Sequence, residues 1–166
     1  MRRLWCRWFL LNNVMPAVNH SAKMATSLMV ALKAHGALTA LIGVGTACRL
    51  YSGRAAQGSA LPRVIWHEIT STPDHTHDSA TTSDPGIEDS IVQFDIEGRT
   101  LSGCRAVADA ISEALNGAKP AAGAADIQAA FRESGGFAQA MDYQTGDGVT
   151  EAHRLSVDYR LMWRDA

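Results

Sequence analysis

The sequence predicts an α+β fold: an antiparallel sheet of about four strands, two helices packed on one face, and polar hairpin loops projecting. Three observations carry this reading. From Arg154 to Arg164 the residues alternate, with Leu155, Val157, Tyr159, Leu161 and Trp163 on one side and Arg154, Ser156, Asp158, Arg160, Met162 and Arg164 on the other. A period of two makes a strand with one buried and one wet face. Ile91 to Glu97 repeats it, with Val92, Phe94 and Ile96 inward and Gln93, Asp95 and Glu97 outward. Between Leu101 and Leu115 the period becomes helical. Half-wet strands belong in antiparallel sheets, which counts against the doubly wound parallel sheets of most nucleotide-binding proteins.

The elements follow in order. Ser27 can cap a helix from Leu28, with Ala31, Leu32 and His35 on one face and Gly36 as a stop. His35 reads as a partly exposed helix-end residue. Leu38, Leu41 and Ile42 continue a helical turn that Gly43 and Gly45 end. Cys48 to Tyr51 is a short extended piece, followed by a Gly/Ser/Ala loop up to Pro62. Arg63 to Thr70 is a strand rich in β-branched and aromatic residues, with Val64 and Trp66 on one side and Ile65 and Ile69 on the other. Ser71 to Ser90 is polar and long enough to be functional or disordered.

Thr100 caps the second helix, whose stripe is Leu101, Cys104, Ala108, Ile111 and Leu115, with Arg105, Asp109 and Glu113 facing water. Asn116-Gly117 ends it. After a linker around Pro120, Ile127, Ala129 and Phe131 mark another strand. Ser134 to Thr150 is a second polar turn region, with Gly135, Gly136, Gly146, Asp147 and Gly148 as turn formers. The alternating strand closes the domain.

Composition sets the outer limits. With 166 residues, 46% apolar and 19% charged, the chain makes one ordinary globular domain. A net charge of −2 supplies no general field for nucleic acid. Three scattered cysteines, Cys6, Cys48 and Cys104, fit a reduced intracellular protein better than a disulfide scaffold. Residues 1–23 read as an extra segment outside the fold, and residues 24–166 as the single domain. Arg7 breaks the apolar run after Arg3, so the segment is too short for a secretory signal or a membrane span. Removing it takes away four of the 15 basic residues and none of the 17 acids, leaving a balance of −6.

Chemistry is sparse. Asp74-His75-Thr76-His77-Asp78, with His67 and Glu68 upstream, has the residue types of a metal site, since two histidines at i and i+2 on a strand can converge on one ion. A polar loop positions ligands poorly, and a solvated loop is the favoured reading. There is no GxSxG, P-loop or GxGxxG pattern. Cys104 sits on an apolar stripe as a small core residue. Arg154, Arg160 and Arg164 with Asp158 form a mixed polar face. No catalytic residue and no cofactor is expected.

The order of elements resembles the tail completion, or tail terminator, proteins of long-tailed bacteriophages and prophage-derived particles. The resemblance runs through His35-Gly36-Ala37-Leu38-Thr39-Ala40-Leu41-Ile42-Gly43, Arg49-Leu50-Tyr51 and Leu61-Pro62-Arg63-Val64-Ile65-Trp66. It continues through Val92-Gln93-Phe94-Asp95-Ile96 to Leu115 and the final strand, covering about residues 25–164. It implies a structural subunit, not an enzyme, that forms a ring, usually hexameric, on the head-proximal end of the tail tube. Such a ring ends tube polymerisation and offers a surface to the head connector. The partners implied are further copies of the chain, the tube protein and the neck, with DNA in transit and no membrane. The places implied are the host cytoplasm during assembly and the virion. The candidate partner surface is Asp74, His75, His77, Asp78, Asp84, Glu88, Arg154 and Arg160. The alternatives are a neck or head–tail connector subunit, or a metal-binding enzyme using His67, His75 and His77.

Overall fold

The computed structural model describes residues 20–74, 86–115, 125–134, 136–145 and 148–165. Three helices, α1 (His20–Ala34), α2 (Gly36–Ile42) and α3 (Leu101–Leu115), accompany six strands. The strands are β1 (Leu50–Ser52), β2 (Arg63–Asp74), β3 (Ile87–Gly98), β4 (Ala125–Arg132), β5 (Phe137–Thr145) and β6 (Gly148–Asp165). The fold is α+β as expected, but it has three helices, not two, because His35 breaks the first into α1 and α2, and the sheet has six strands and is mixed, not four and antiparallel. Its order is β1-β2-β3-β6-β4, with β5 also on β6. β1 runs parallel to β2, pairing Leu50 with Val64 and Ser52 with Trp66, while the other pairs are antiparallel.

The 18-residue β6 is the spine of the sheet. One edge pairs with β3 from His153 to Trp163. The other edge is shared end to end, β5 taking Gly148–Ser156 and β4 taking Tyr159–Asp165. β5 lies where the sequence reads as polar turn. Phe137, Met141 and Tyr143 fall at positions of one parity, but Gln139 interrupts them and turn-forming glycines flank the stretch, so backbone pairing to β6 defines it. β2 and β3 likewise reach beyond their apolar cores, pairing Ser71 with Ser90 and Asp74 with Ile87.

The alternating face of β6 is inward as read: Leu155, Val157, Tyr159, Leu161 and Trp163 are buried. They meet Val92, Phe94 and Ile96 of β3 and Val64 and Trp66 of β2 under the helices. α1 buries Met24, Leu28 and Leu32, four apart and therefore on one face. α3 buries Cys104, Val107, Ala108, Ile111 and Leu115. The Phe94 and Tyr159 rings meet edge to face at 5.5 Å. The polar tips of two buried aromatics find partners: Tyr159 Oη lies 2.5 Å from Ser112 Oγ, and Trp163 Nε1 donates to Ser90 Oγ at 3.0 Å.

Local punctuation differs from the sequence reading at the first helix. Ser27 is buried within α1, which begins at His20, so Ser27 is no cap. The break falls at His35, whose Nδ1 accepts a bond from the Leu38 N–H and caps α2. α1 and α2 meet at an 86° bend, and no single described helix is long and apolar enough to cross a membrane. Gly43 ends α2 at φ 93°, where an added Cβ would lie 2.5 Å from the Ala47 carbonyl oxygen, so glycine is required there.

Candidate assembly surface

The sheet face away from the helices collects polar side chains in cross-strand rows. Arg63 of β2, Glu97 of β3 and Arg154 of β6 share one row. Arg63 Nε donates to Glu97 Oε2 at 2.6 Å, and Arg154 Nη2 donates to Oε1 at 2.6 Å. Glu97, expected to face water, is 1% exposed beneath these two guanidiniums. Next along, Asp95 accepts from the Ser156 hydroxyl at 2.5 Å, with His67 Nε2 at 3.6 Å. Further on, Arg160 binds Asp89 through Nε at 2.7 Å and through its second nitrogen.

This face is less uniformly polar than the alternation of β6 suggests. A register shift between Ile127 and Ala129 turns β4 over. Ile127 is therefore buried opposite Trp163, while Phe131 stands opposite Arg160 and is 52% exposed. Phe137 of β5, opposite Ser156, is 69% exposed. Ile69, at the register shift of β2, is 57% exposed. Sequence periodicity misplaces Phe131, because the bulge in β4 reverses its face relative to Ile127, whereas Ile69 was already read on the side opposite Val64 and Trp66.

Beside Arg160 a cleft of about 260 Å³ is lined by Thr70, Thr72, Asp89, Ile91, Glu133 and Arg160. Asp89 Oδ1 and Asp158 Oδ1 are buried without a hydrogen-bond partner among the described residues. No group of three or more histidine, cysteine or carboxylate side chains gathers as a metal site among the described residues. Cys104 is buried in α3 and its thiol donates to the His153 carbonyl at 3.4 Å. Burial pushes that thiol's pKa up, opposite to what a nucleophile needs.

The eight candidate partner residues separate. Arg154 and Arg160 lie on the far face of β6, each bound to a carboxylate of β3. Glu88 sits at the start of β3 and its Oε2 accepts from Ser71 Oγ at 3.2 Å. Asp74 is the last residue of β2, paired with Ile87. His75, His77, Asp78 and Asp84 lie outside the described residues.

Residues 26–164 match the family described as "Tail completion protein gp17". No curated protein matches the chain. A chain from the virion of a native gene transfer agent particle is similar in fold, with a TM-score of 0.55 and 18% identity. The similarity covers 86% of this chain and 98% of that one.

Proposed function

We propose, on the premise that the chain belongs to the tail completion protein gp17 family, that it is a structural subunit that closes the head-proximal end of a phage-type tail tube. In this reading several copies, six by analogy with the resembled family, form a ring that ends tube polymerisation. The ring then presents a surface to the head connector while DNA passes through it. The subunit joins the particle in the host cytoplasm and stays in the virion. Residues 24–166 are the assembling domain, and residues 1–23 are accessory to it.

The family match carries this reading, because it spans nearly the whole domain and not one motif. The described side chains agree with it. They offer the exposed aromatics Phe131 and Phe137 and the exposed Ile69, which suit contact with a partner. Between Arg63 and Arg99 the sequence has no Lys or Arg, and from the end of β2 to the start of β3 it contains Asp74, Asp78, Asp84, Glu88 and Asp89. We assign this acidic stretch to the tube-facing contact.

The test is polymerisation of the matching tube protein with and without this chain. Tubes of limited length, with the chain at one end by electron microscopy, are expected. Unchanged tubes together with capture of the chain by DNA-filled heads alone would transfer it to the neck.

A further inference from the structure

A shallow trough crosses the sheet face away from the helices. Thr70 of β2, Ile91 of β3, Arg160 of β6 and Phe131 of β4 are successive cross-strand partners, so they form one row on that face. Thr72 and Asp89 pair in the next row. Glu133 follows β4, and its N–H donates to the Asp158 carbonyl at 2.9 Å, which anchors it beside the same row. Thr70, Thr72, Asp89, Ile91, Glu133 and Arg160 enclose the cleft of about 260 Å³. Its shape is therefore set by strand register and not by a loop.

The charges of this cleft do not balance. Two carboxylates, Asp89 and Glu133, line it against one guanidinium, Arg160. Arg160 places Nε and Nη2 on the same oxygen of Asp89, Oδ2. The other oxygen, Oδ1, is buried and accepts no hydrogen bond among the described residues. No ion pair among those residues involves Glu133. An anionic oxygen shut away from water without a donor is costly, so a donor brought to it is favourable. The remaining lining is two threonine hydroxyls and Ile91, with the exposed Phe131 next to Arg160 in the row.

We propose that this cleft receives one lysine side chain of a partner protein. The ammonium meets Asp89 Oδ1, the Glu133 carboxylate and the threonine hydroxyls, and the stem lies along Ile91 and Phe131. One positive charge neutralises the cleft. The acceptors come from separate strands, which suits the three diverging donors of an ammonium better than the planar fork of a guanidinium. A four-carbon stem covers apolar surface while its head stays among polar groups. The chain's own Lys23 and Lys33 lie on α1, on the opposite side of the sheet. The proposal stands apart from the end-capping reading, since it concerns what this cleft binds.

The test follows the Ile91 methyl signal and the Thr70, Thr72 and Glu133 amide signals of the full chain by NMR. The probes are Nα-acetyl-lysine methylamide, Nα-acetyl-norleucine methylamide, which keeps the stem without the charge, and magnesium chloride. The lysine probe should shift these signals saturably, and the other two should not. Glu133→Gln should weaken lysine binding roughly tenfold, as expected for a lost charge-assisted hydrogen bond. Glu151→Gln, exposed and outside the cleft, should leave it unchanged. Equal shifts from norleucine, saturation by magnesium in place of lysine, or unchanged binding by Glu133→Gln overturns the proposal. If Glu133→Gln fails to fold by circular dichroism, Thr70→Val with Thr72→Val takes its place, with weakened binding again expected. Carbodiimide coupling in assembled particles then identifies the source. Glu133 should join to a lysine of a different protein, by mass spectrometry. Coupling to Lys23, Lys33 or Lys119 of this chain or of a second copy, or no coupling at Glu133, overturns the partner.

Discussion

Arg154 crosses the β3–β6 ladder to its direct partner Glu97 and places two guanidinium nitrogens, at 2.6 and 3.1 Å, on one carboxylate oxygen. Arg63 takes the other oxygen from the opposite strand. A carboxylate 1% exposed is tolerated because both oxygens are charge-paired. Arg154 is therefore a cross-brace of the sheet.

That brace yields a stability prediction. Removing both guanidiniums strands a buried carboxylate, so Arg63→Ala with Arg154→Ala should cost ~3–5 kcal/mol. Arg154→Ala alone should cost less, about 1–2 kcal/mol, since Arg63 still holds Glu97. Urea unfolding midpoints of the single and double variants check this. A double variant no weaker than Arg154→Ala would mean that Arg63 contributes nothing.

Alkaline stability follows from two buried groups. Burial raises the pKa of Cys104 above its ordinary 9.0 and of Tyr159 above 10.0, the latter against its hydrogen bond with Ser112. Below these ordinary values both groups are neutral, folded or unfolded, and the stability is fully present. As pH rises past about 9 and then 10, the unfolded chain loses these protons first and stability falls. Urea midpoints taken from pH 8 to 11 should decline in that window. Tyr159→Phe should flatten its upper part, and an unchanged decline in that variant would assign the effect elsewhere.

The parts of the fold legible in sequence were those where side-chain pattern and backbone geometry coincide. β6 and β3 show their buried faces by alternation, and α3 shows its stripe by a helical period. β5 is harder to read, because Gln139 interrupts the same-parity series Phe137, Met141 and Tyr143 and glycines flank it, so the strand shows mainly through its pairing to β6. β4 misleads, since its bulge puts Ile127 and Phe131 on opposite faces although they are four apart. Among the partner residues, Arg154 and Arg160 were correctly placed on one wet face. Sequence could not show that both already hold acids of β3. That fact depends on strand register, which no local pattern states.

The domain boundary is open to a direct measurement. α1 begins at His20, and its core residues Met24, Leu28 and Leu32 all lie at or after Met24. A chain starting at Met24 loses the Ala22 carbonyl that accepts from the exposed Thr26 hydroxyl, and little apolar burial among the described residues. Its Tm should fall by no more than about 2–4 °C, the shift for roughly 1 kcal/mol in a domain of this size. A much larger drop would show that residues before Met24 pack into the core.

The β2–β3 turn separates folding from assembly. Pairing holds as far as Asp74 and Ile87, so the ladder does not require residues 75–85 to set its register. Replacing them, with Gly86, by an Asn-Gly turn leaves a two-residue connection between paired residues, the geometry that such turns favour. The thermal melt should therefore stay within a few degrees of the full chain, because the buried core lies elsewhere. The replacement also removes Asp78 and Asp84 with His75 and His77, thinning the acidic end of the hairpin. If that end is the tube contact, the variant should fold and form rings yet fail to limit tube length or to support head joining. Measured tail lengths decide this. Normal tails from the shortened chain would make the segment a spacer and move the tube contact to the exposed Phe131 and Ile69.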